Sequence, residues 1–362
     1  MIKQYYKQAL AQLRQHPLIS IIGIVGTALS IFLIMLVVMM QQVKVAPFSP
    51  ESNRNRFLHV HYMSISHKDW GNGTSNGPMS VQTAREVYKS LKTPEAVTVY
   101  CCMTVSTPVS LPGAPAIGAD VRETDDTFFH VFDFQFTDGK PYDEATFTAG
   151  RPVAVITESI SRALFGSIQS VGKEFLLSHA PYRVVGVVKD VSTLADMAYG
   201  QVWIPFTSTN LSNDTWSDNH MGMMSVTLLA HDREDFDEIR AEAKRRMNEY
   251  NSILADQGYT LIDRNRPYDQ ETQSISFAAN LEPDLKAARR ERVIIFIILL
   301  LVPAINLSSM TQSRLRQRVA EIGVRRAFGS TRIEMVGQIV MENLVITLLA
   351  GAIGLLISIL FA

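Results

Sequence analysis

Two histidines, His59 and His61, stand two residues apart in a stretch, Arg56 to Tyr62, that alternates like a β-strand. Alternate residues of a strand share a face, so the two imidazoles could open a metal site. No third ligand is predictable nearby, and two structural histidines are the plainer reading. The only cysteines, Cys101 and Cys102, are adjacent. That spacing excludes a disulfide framework or a zinc knuckle and leaves either a strained vicinal disulfide or, more simply, two ordinary thiols. Asp125 and Asp126 suit a turn or a helix start. The nearest look-alike of a phosphate-binding loop, Gly166 to Glu174, has the wrong spacing and places Glu174 where a Ser or Thr should hold magnesium. No serine, cysteine or carboxylate set has the arrangement of a hydrolase. The sequence therefore points away from catalysis, and no metal or cofactor is expected.

The elements that would carry any function are set by where the apolar residues lie. The chain has 362 residues, 47% of them hydrophobic, and a formal net charge of -1. Three apolar blocks stand near the two ends, and the charge lies between and beside them. Leu18 to Met40 contains no charged residue, and about 20 apolar residues at 1.5 Å each cross a bilayer core. This block is longer than the apolar run of a cleaved signal peptide, and Gln41 to Lys44 offers no small-residue cleavage site, so an uncleaved anchor over 18–41 is expected. Val293 to Met310 gives a second span (293–311), with Pro303 and Asn306 inside it, and Leu344 to Ala362 a third (344–362). Gly23 with Thr27, Gly26 with Ser30, and the series Ala350, Gly354, Ser358 each place small residues four apart, which lets helix backbones approach closely. These six glycine, alanine and serine positions are the expected helix-packing sites, although small residues are common in apolar helices. Ahead of the first span, residues 1–17 read as an amphipathic interfacial helix: Ile2, Tyr6, Leu10 and Leu13 share one face, and Lys3, Lys7 and Arg14 another. A plain solvated helix is the competing reading.

Between the first two spans the pattern changes to that of a folded α+β domain (42–272). A strand near Arg56 to Tyr62, a Gly/Ser/Asn-rich loop over 64–78, a helix from Ser80 to Leu91 and a β stretch from Val97 to Val105 form one strand–helix–strand unit. Met223 to Leu229, a charged helix from Arg233 to Tyr250, and Tyr259 to Ile262 form another. Two such units can share one sheet with both helices on one face. The intervening 106–215 reads as a mostly β insertion, with short strands at 152–156, 174–177, 183–188 and 202–205. A helical stalk over 273–292 is expected to lead into the second span. Lys3, Lys7 and Arg14 and the basic residues of the 312–343 loop argue for a cytoplasmic side opposite the large domain, but Lys286, Arg289, Arg290 and Arg292 weaken that count.

The loop itself is the most informative stretch. Arg314 to Phe328 reads as one basic helix, with Glu321 and Arg325 spaced for an ion pair. Gly329 ends it, and Thr331 with Glu334 makes a capping-box pattern for the next helix. Physics alone leaves a solvated basic connector equally open.

The order of residues is more specific. Arg318, Glu321, Ile322, Gly323, Arg325, Ala327 and Gly329 resemble the signature of MacB/FtsX/LolC-type permeases. Val302 to Leu307 looks like that family's second membrane helix, and Val153 to Thr157, Leu164 to Gly166, Val171 to Lys173 and Tyr182 to Asp190 are similar to its periplasmic domain. The resemblance runs through essentially the whole chain. It implies a permease subunit of a type VII-like ABC transporter in the cell inner membrane, with its large domain in the periplasm. The partners it implies are a separate ABC ATPase, a second permease copy, homologous or identical, membrane lipids, and possible periplasmic or outer-membrane proteins; no nucleic acid is expected. Arg318, Glu321, Ile322, Gly323, Arg325, Arg326, Ala327, Phe328 and Gly329 would form the coupling helix against the ATPase, and hydrolysis would move the outer domain by mechanotransmission. The outer domain would correspond to a Porter-like part (53–105 and 216–265) with an inserted Sabre-like part (106–215). Two departures stand out. The family has four membrane helices, whereas the chain runs out in its third, so a truncated chain is expected; and the nucleotide-binding domain that some relatives fuse to the permease is not in it. The rival readings are a membrane-anchored sensor whose loop reports to a kinase, and a membrane-tethered enzyme, the latter disfavoured by the missing catalytic set.

Overall fold

The computed structural model describes residues 17–361, so the interfacial helix expected over 1–17 lies, but for Pro17, outside the described residues. The chain divides into two units, residues 1–43 with 284–362, and 44–283.

The first unit is helical. Helix α1 spans Pro17–Val45. The outer unit then begins with strands β1 (Phe57–Val60), β2 (Met63–His67) and β3 (Thr74–Gly77). The Gly/Ser/Asn-rich segment read as a loop is thus largely a hairpin: Met63 and Ile65 alternate into the core while the intervening positions are polar, so low apolar content hid a strand. Helix α2 is a short helical run, Val81–Ala84, continued by a π-turn over Arg85–Lys89, and its N-cap Ser80 accepts from the Thr83 amide at 3.1 Å. β4 (Ala96–Cys101), β5 (Val105–Ser110) and β6 (Ile117–Thr124) follow, then α3 (Phe128–Val131), β7 (Phe136–Gly139) and α4 (Glu144–Thr148). Next come β8 (Val153–Thr157), α5 (Glu158–Phe165), β9 (Glu174–Leu177), β10 (Ala180–Val188), β11 (Val202–Pro205) and β12 (Met224–Leu229). Helix α6 (Phe236–Leu254), β13 (Tyr259–Ile262), β14 (Tyr268–Asp269) and the single turn α7 (Gln270–Gln273) close the outer unit.

Four strands make the framework, in the order β4-β12-β1-β14, every neighbour antiparallel. β1 and β4, joined through α2, therefore flank β12 in parallel, and β12 and β14, joined through α6, flank β1. This is an interleaved pair of split β-α-β units. One face carries both helices: Leu58, Val60, Val97, Val99, Val226 and Leu228 pack with Val87 and Tyr88 of α2 and with Ile239, Ala243 and Met247 of α6. The sequence placed Tyr259–Ile262 in this sheet. Instead β13 pairs β2 in a separate three-stranded sheet, β13-β2-β3, and the two-residue β14 completes the framework. The charged helix α6 buries Phe236, Ile239, Ala243, Met247, Tyr250 and Leu254 at three- and four-residue spacing. Even its Glu242 is buried, accepting from the Lys92 and Thr93 amides at 3.0 Å.

The inserted part closes on itself. β8-β10-β9-β5-β6 are neighbours in that order, and β11 pairs both β8 and β6, so six strands form a small barrel. Ala154, Ile156, Phe175, Val184, Val202 and Ile204 fill its interior. The alternate residues Val153, Val155 and Trp203 point outward and pack with Phe57, Tyr100 and Leu229 from the second face of the framework sheet. Phe128, Phe132 and Phe134 complete this aromatic layer, so the framework sheet is covered on both faces.

The stalk helix expected over 273–292 forms only in its later part, 285–292, where it is continuous with the second membrane span. Helix α8 begins only at Leu285, where the Asp284 side chain accepts from the Ala287 amide at 2.9 Å. Pro283 explains the delay, because a proline disfavours helical conformation in the residue before it and lacks the amide a helix interior needs. α8 runs to Gln317, and α9 (Val319–Ala327) and α10 (Arg332–Phe361) follow.

Candidate functional site

The segment 313–342 holds the candidate site. The single basic helix expected over 314–328 is interrupted: α8 ends at Gln317, and Arg318 sits at φ -107 and ψ 13 between it and α9. The Arg318 amide closes α8 on the Leu315 carbonyl at 3.1 Å, and its own carbonyl accepts from Ile322 to start α9. The break frees the Arg318 side chain to reach two acids. Its Nε donates to Glu321 Oε2 at 3.0 Å and its Nη1 to Glu342 Oε2 at 3.1 Å. Glu321 accepts in turn from Arg325 at 2.5 Å, Arg325 Nη1 donates to Gln338 at 2.9 Å, and Gln338 Nε2 donates to Glu342 at 2.9 Å. Five side chains thus form a closed ring that fastens α9 to the first turns of α10. The hydrogen bonds from Arg318, with the Arg318 and Arg325 charges, hold the Glu321 carboxyl below its ordinary range.

The turn between α9 and α10 follows the expected chemistry. Gly329 is at φ +95, a conformation costly for any residue with a Cβ, and its amide bonds the Arg326 carbonyl at 3.1 Å. Thr331 and Glu334 exchange the reciprocal bonds of a capping box, at 2.9 and 3.3 Å.

With Glu321 and Arg325 engaged by the ring, α9 turns an apolar surface outward. Val319, Val324 and Phe328 are exposed, Phe328 to 87%, and Ile333 at the start of α10 to 84%. Arg326 and Ala327 are exposed too, whereas Ile322 is half-buried. A Cβ added at Gly323 meets nothing within 4 Å, so the glycine leaves a flat, uncovered spot on the helix.

The small residues of the membrane helices lie at contacts. A Cβ on Gly23 would overlap the Met310 sulfur, and one on Gly26 would fall 2.6 Å from Asn306 Nδ2. Asn306 itself reaches Thr27 Oγ1 at 3.5 Å. A Cβ on Gly354 would lie 2.7 Å from the Ala28 carbonyl oxygen. Ala350 and Ser358 are buried on the same face of α10, and Ser30 on α1. The Ser30 and Ser358 hydroxyls donate back to the Gly26 and Gly354 carbonyls, so neither polar group is left without a partner. All three long helices are long and apolar enough to cross a membrane, and most of each apolar window is uncovered by protein.

The histidines resolve differently from a metal site. His59 is wholly buried, with Nδ1 at 3.1 Å from Thr227 Oγ1 and Nε2 at 2.9 Å from Gln270 Oε1, so both ring nitrogens are engaged. Burial pushes it down to about 3 and His61 to about 4, which keeps both neutral. Cys101 and Cys102 are free thiols, and Asp125 is buried on Lys89 at 2.7 Å. Trp70 packs on His67 and Tyr259 as a loop anchor.

A polar brace at the entry to the outer unit had no sequence signal. Glu51 and Arg54 are both buried and paired at 2.6 Å. Glu51 Oε1 also accepts from the Met197 and Ala198 amides, at 2.9 and 3.0 Å. Arg54 donates to the carbonyls of Ala46 and Leu194 and stacks 4.2 Å above Phe48.

Comparison with known proteins matches residues 18–246 to the MacB-like periplasmic core domain and residues 293–362 to the FtsX-like permease C-terminal domain. Among curated relatives, the uncharacterized ABC transporter permease YknZ of Bacillus subtilis is 22% identical over 244 residues, covering 66% of this chain and 55% of that protein. The macrolide export ATP-binding/permease protein MacB of Burkholderia cenocepacia is 24% identical over 244 residues, covering 67% of this chain and 33% of that protein. The chain therefore spans about half of the one relative and a third of the other. Similar solved structures include the periplasmic region of MacB from Actinobacillus actinomycetemcomitans, at 19% identity and a TM-score of 0.38, covering 56% of this chain and 88% of that one. A permease domain from Porphyromonas gingivalis is 14% identical with a TM-score of 0.41, covering 66% of this chain and 97% of that one. With a MacB-like core domain followed by an FtsX-like segment, the chain belongs to the MacB/FtsX family of membrane ABC transporter permeases.

Proposed function

We propose that the chain is the permease subunit of an ABC transporter in which a separate ATPase docks on α9 and moves the outer unit without opening a channel through the membrane. The observation that carries this reading is the ring of Arg318, Glu321, Arg325, Gln338 and Glu342, which makes α9 and the start of α10 one braced lever while Val319, Val324, Phe328 and the bare Gly323 stay exposed. A braced helix transmits a push; an apolar, Cβ-free patch gives a partner surface something to seat on. Arg318, Glu321 and Arg325 are in this reading the bracing residues, and Ile322, Arg326, Ala327 and Gly329 complete the docking segment and its turn. A second copy of the permease would cover apolar surface on the three membrane helices, and the outer unit would lie in the periplasm of an inner-membrane assembly. Chemistry belongs to the ATPase, not to this chain.

The test is purification of the tagged chain from its native membrane beside Gly323→Trp and Glu321→Ala. The expected result is a stoichiometric ABC ATPase with the wild type, lost with Gly323→Trp and weakened with Glu321→Ala at unchanged membrane content. A wild-type preparation that never brings down an ATPase, and instead retains a kinase, overturns the reading in favour of a sensor.

A further inference from the structure

Three side-chain cations without an ion pair gather around one cavity of the outer unit. The cavity measures about 320 Å³ and is lined by Arg240, Lys244, Asp263, Arg264, Arg266 and Glu282, among others. Arg240 and Lys244 are four residues apart on α6 and so share a face. Arg240 is answered by Asp237 at 3.1 Å and Asp269 at 3.8 Å, and its Nε donates to the Pro267 carbonyl. The two acids of the lining are engaged by Asn265 rather than by the cations: its amide donates to Asp263 Oδ1 at 3.3 Å, and its Nδ2 to Glu282 Oε2 at 2.9 Å. Among the described residues, Lys244, Arg264 and Arg266 form no ion pair at all.

Arg266 is the anomaly. It is buried to 5% exposure, donates through Nη2 to the Ala279 carbonyl at 3.0 Å and lies 5.0 Å from the Tyr268 ring centroid. Its Nη1 has no partner, and it is the one buried side-chain nitrogen or oxygen so placed among the described residues. The other buried guanidiniums are fully answered. Arg54 has Glu51 and two carbonyls; Arg122 has the carbonyls of Cys101, Asp196 and Tyr199. A guanidinium cannot shed its proton, so an unanswered buried N–H is a standing cost unless something accepts from it.

We infer that this cavity binds a phosphate-type oxyanion, held by Arg266 from within and by Lys244 and Arg264 at its rim. With Arg240 answered by Asp237 and Asp269, three cations face two acids across the lining, so the local charge favours an anion. A tetrahedral phosphate offers oxygens to all three unpaired cations at once, whereas a carboxylate has only two. Burial, with the neighbouring Arg264 charge, depresses the Arg266 guanidinium below its ordinary value, and a bound anion opposes that effect. The phosphate can arrive as a free phosphate or as a lipid headgroup. Pro283, which also lines the cavity, stands two residues before the first residue of membrane helix α8.

The test uses the full chain reconstituted in nanodiscs, with Lys244→Ala and Arg264→Ala as variants that remove rim cations and Arg266→Met as the inner one. Inorganic phosphate is titrated by phosphorus NMR in phosphatidylcholine discs, and phosphatidylglycerol retention is read by native mass spectrometry. Saturable phosphate binding, weakened about tenfold or more in each rim variant, assigns a free phosphate. Phosphatidylglycerol retained by the wild type and lost from both rim variants, without phosphate binding, assigns a lipid headgroup. If neither ligand distinguishes the wild type from the two rim variants, the inference is wrong, whether or not Arg266→Met folds.

Discussion

Replacing Arg54 by Met leaves Glu51 as an ionised carboxylate inside the outer unit with its principal counter-charge gone. The pair is 2.6 Å apart and both residues are buried. Removing one partner of such a pair costs about 3–5 kcal/mol, because the remaining charge stays desolvated. Arg54 also holds the Ala46 and Leu194 carbonyls, which pushes the expected cost toward the upper end. For a unit of this size about 3 kcal/mol corresponds to a fall in Tm of roughly 6–12 °C. The readout is simple, since Trp70, Trp203 and Trp216 all lie within 44–283 and their fluorescence reports that unit in the intact chain. Burial already raises the Glu51 pKa despite Arg54, and the variant should raise it further. A carboxyl raised in the folded state binds its proton more tightly there, so stability falls as pH rises above the unfolded value of about 4.5. Arg54→Met should therefore melt progressively lower, relative to wild type, on going from pH 4 to pH 7. Adding Glu51→Gln should recover at least about 1 kcal/mol, because the amide can still accept from Met197 and Ala198 without a charge. Equal melting of Arg54→Met and wild type at pH 7, or a double variant no better than the single one, would refute the argument.

Three further outcomes follow from the same physics. Glu123, on β6, is pushed up to about 7 by burial, with Thr209 donating to it; its stability contribution therefore declines between about pH 4.5 and 7. Glu123→Gln should melt higher than wild type at pH 8 and no higher at pH 4, by the same tryptophan signal. Gly354→Val forces a side chain against the Ala28 carbonyl at 2.7 Å and should cost about 1–3 kcal/mol, seen as earlier loss of helical circular dichroism in detergent. Gly351→Ala, whose Cβ would stand 3.8 Å from Ile31, should melt like wild type.

Much of this structure was legible because the pattern and the packing agreed. The apolar blocks set the three long helices, and Gly329 with the Thr331 and Glu334 pair set the turn between α9 and α10. Four strands of the inserted part, β8 to β11, were readable from short apolar runs between turn residues, whereas β5, β6 and β7 were not. What failed did so where tertiary partners outrank local preference. Arg318 has no intrinsic reason to interrupt a helix; it leaves because Glu342, 24 residues away, completes its coordination with Glu321. β14 is two residues long and is made a strand only by β1. β2 and β3 read as loop because their outward residues are polar, and the hidden alternation of Met63 and Ile65 was too short to stand out. The burial of Glu51, Arg54 and Arg266 went unread, since nothing local tells a buried charge from a solvated one.

The barrel's closure has a kinetic corollary. β6 and β11 pair only when residues about 80 positions apart meet, Val121 with Val202 and Thr124 with Pro205. That is a loop closure of high sequence separation, which lowers folding rates far more than it lowers stability. Until it happens, β6 and β11 present apolar edges that another chain could join. Afterwards the ring has no free edge. An outer unit released unfolded on the far side of a membrane would thus pass through its most association-prone state just before its last strand locks, and its yield should depend on how dilute it is while it folds.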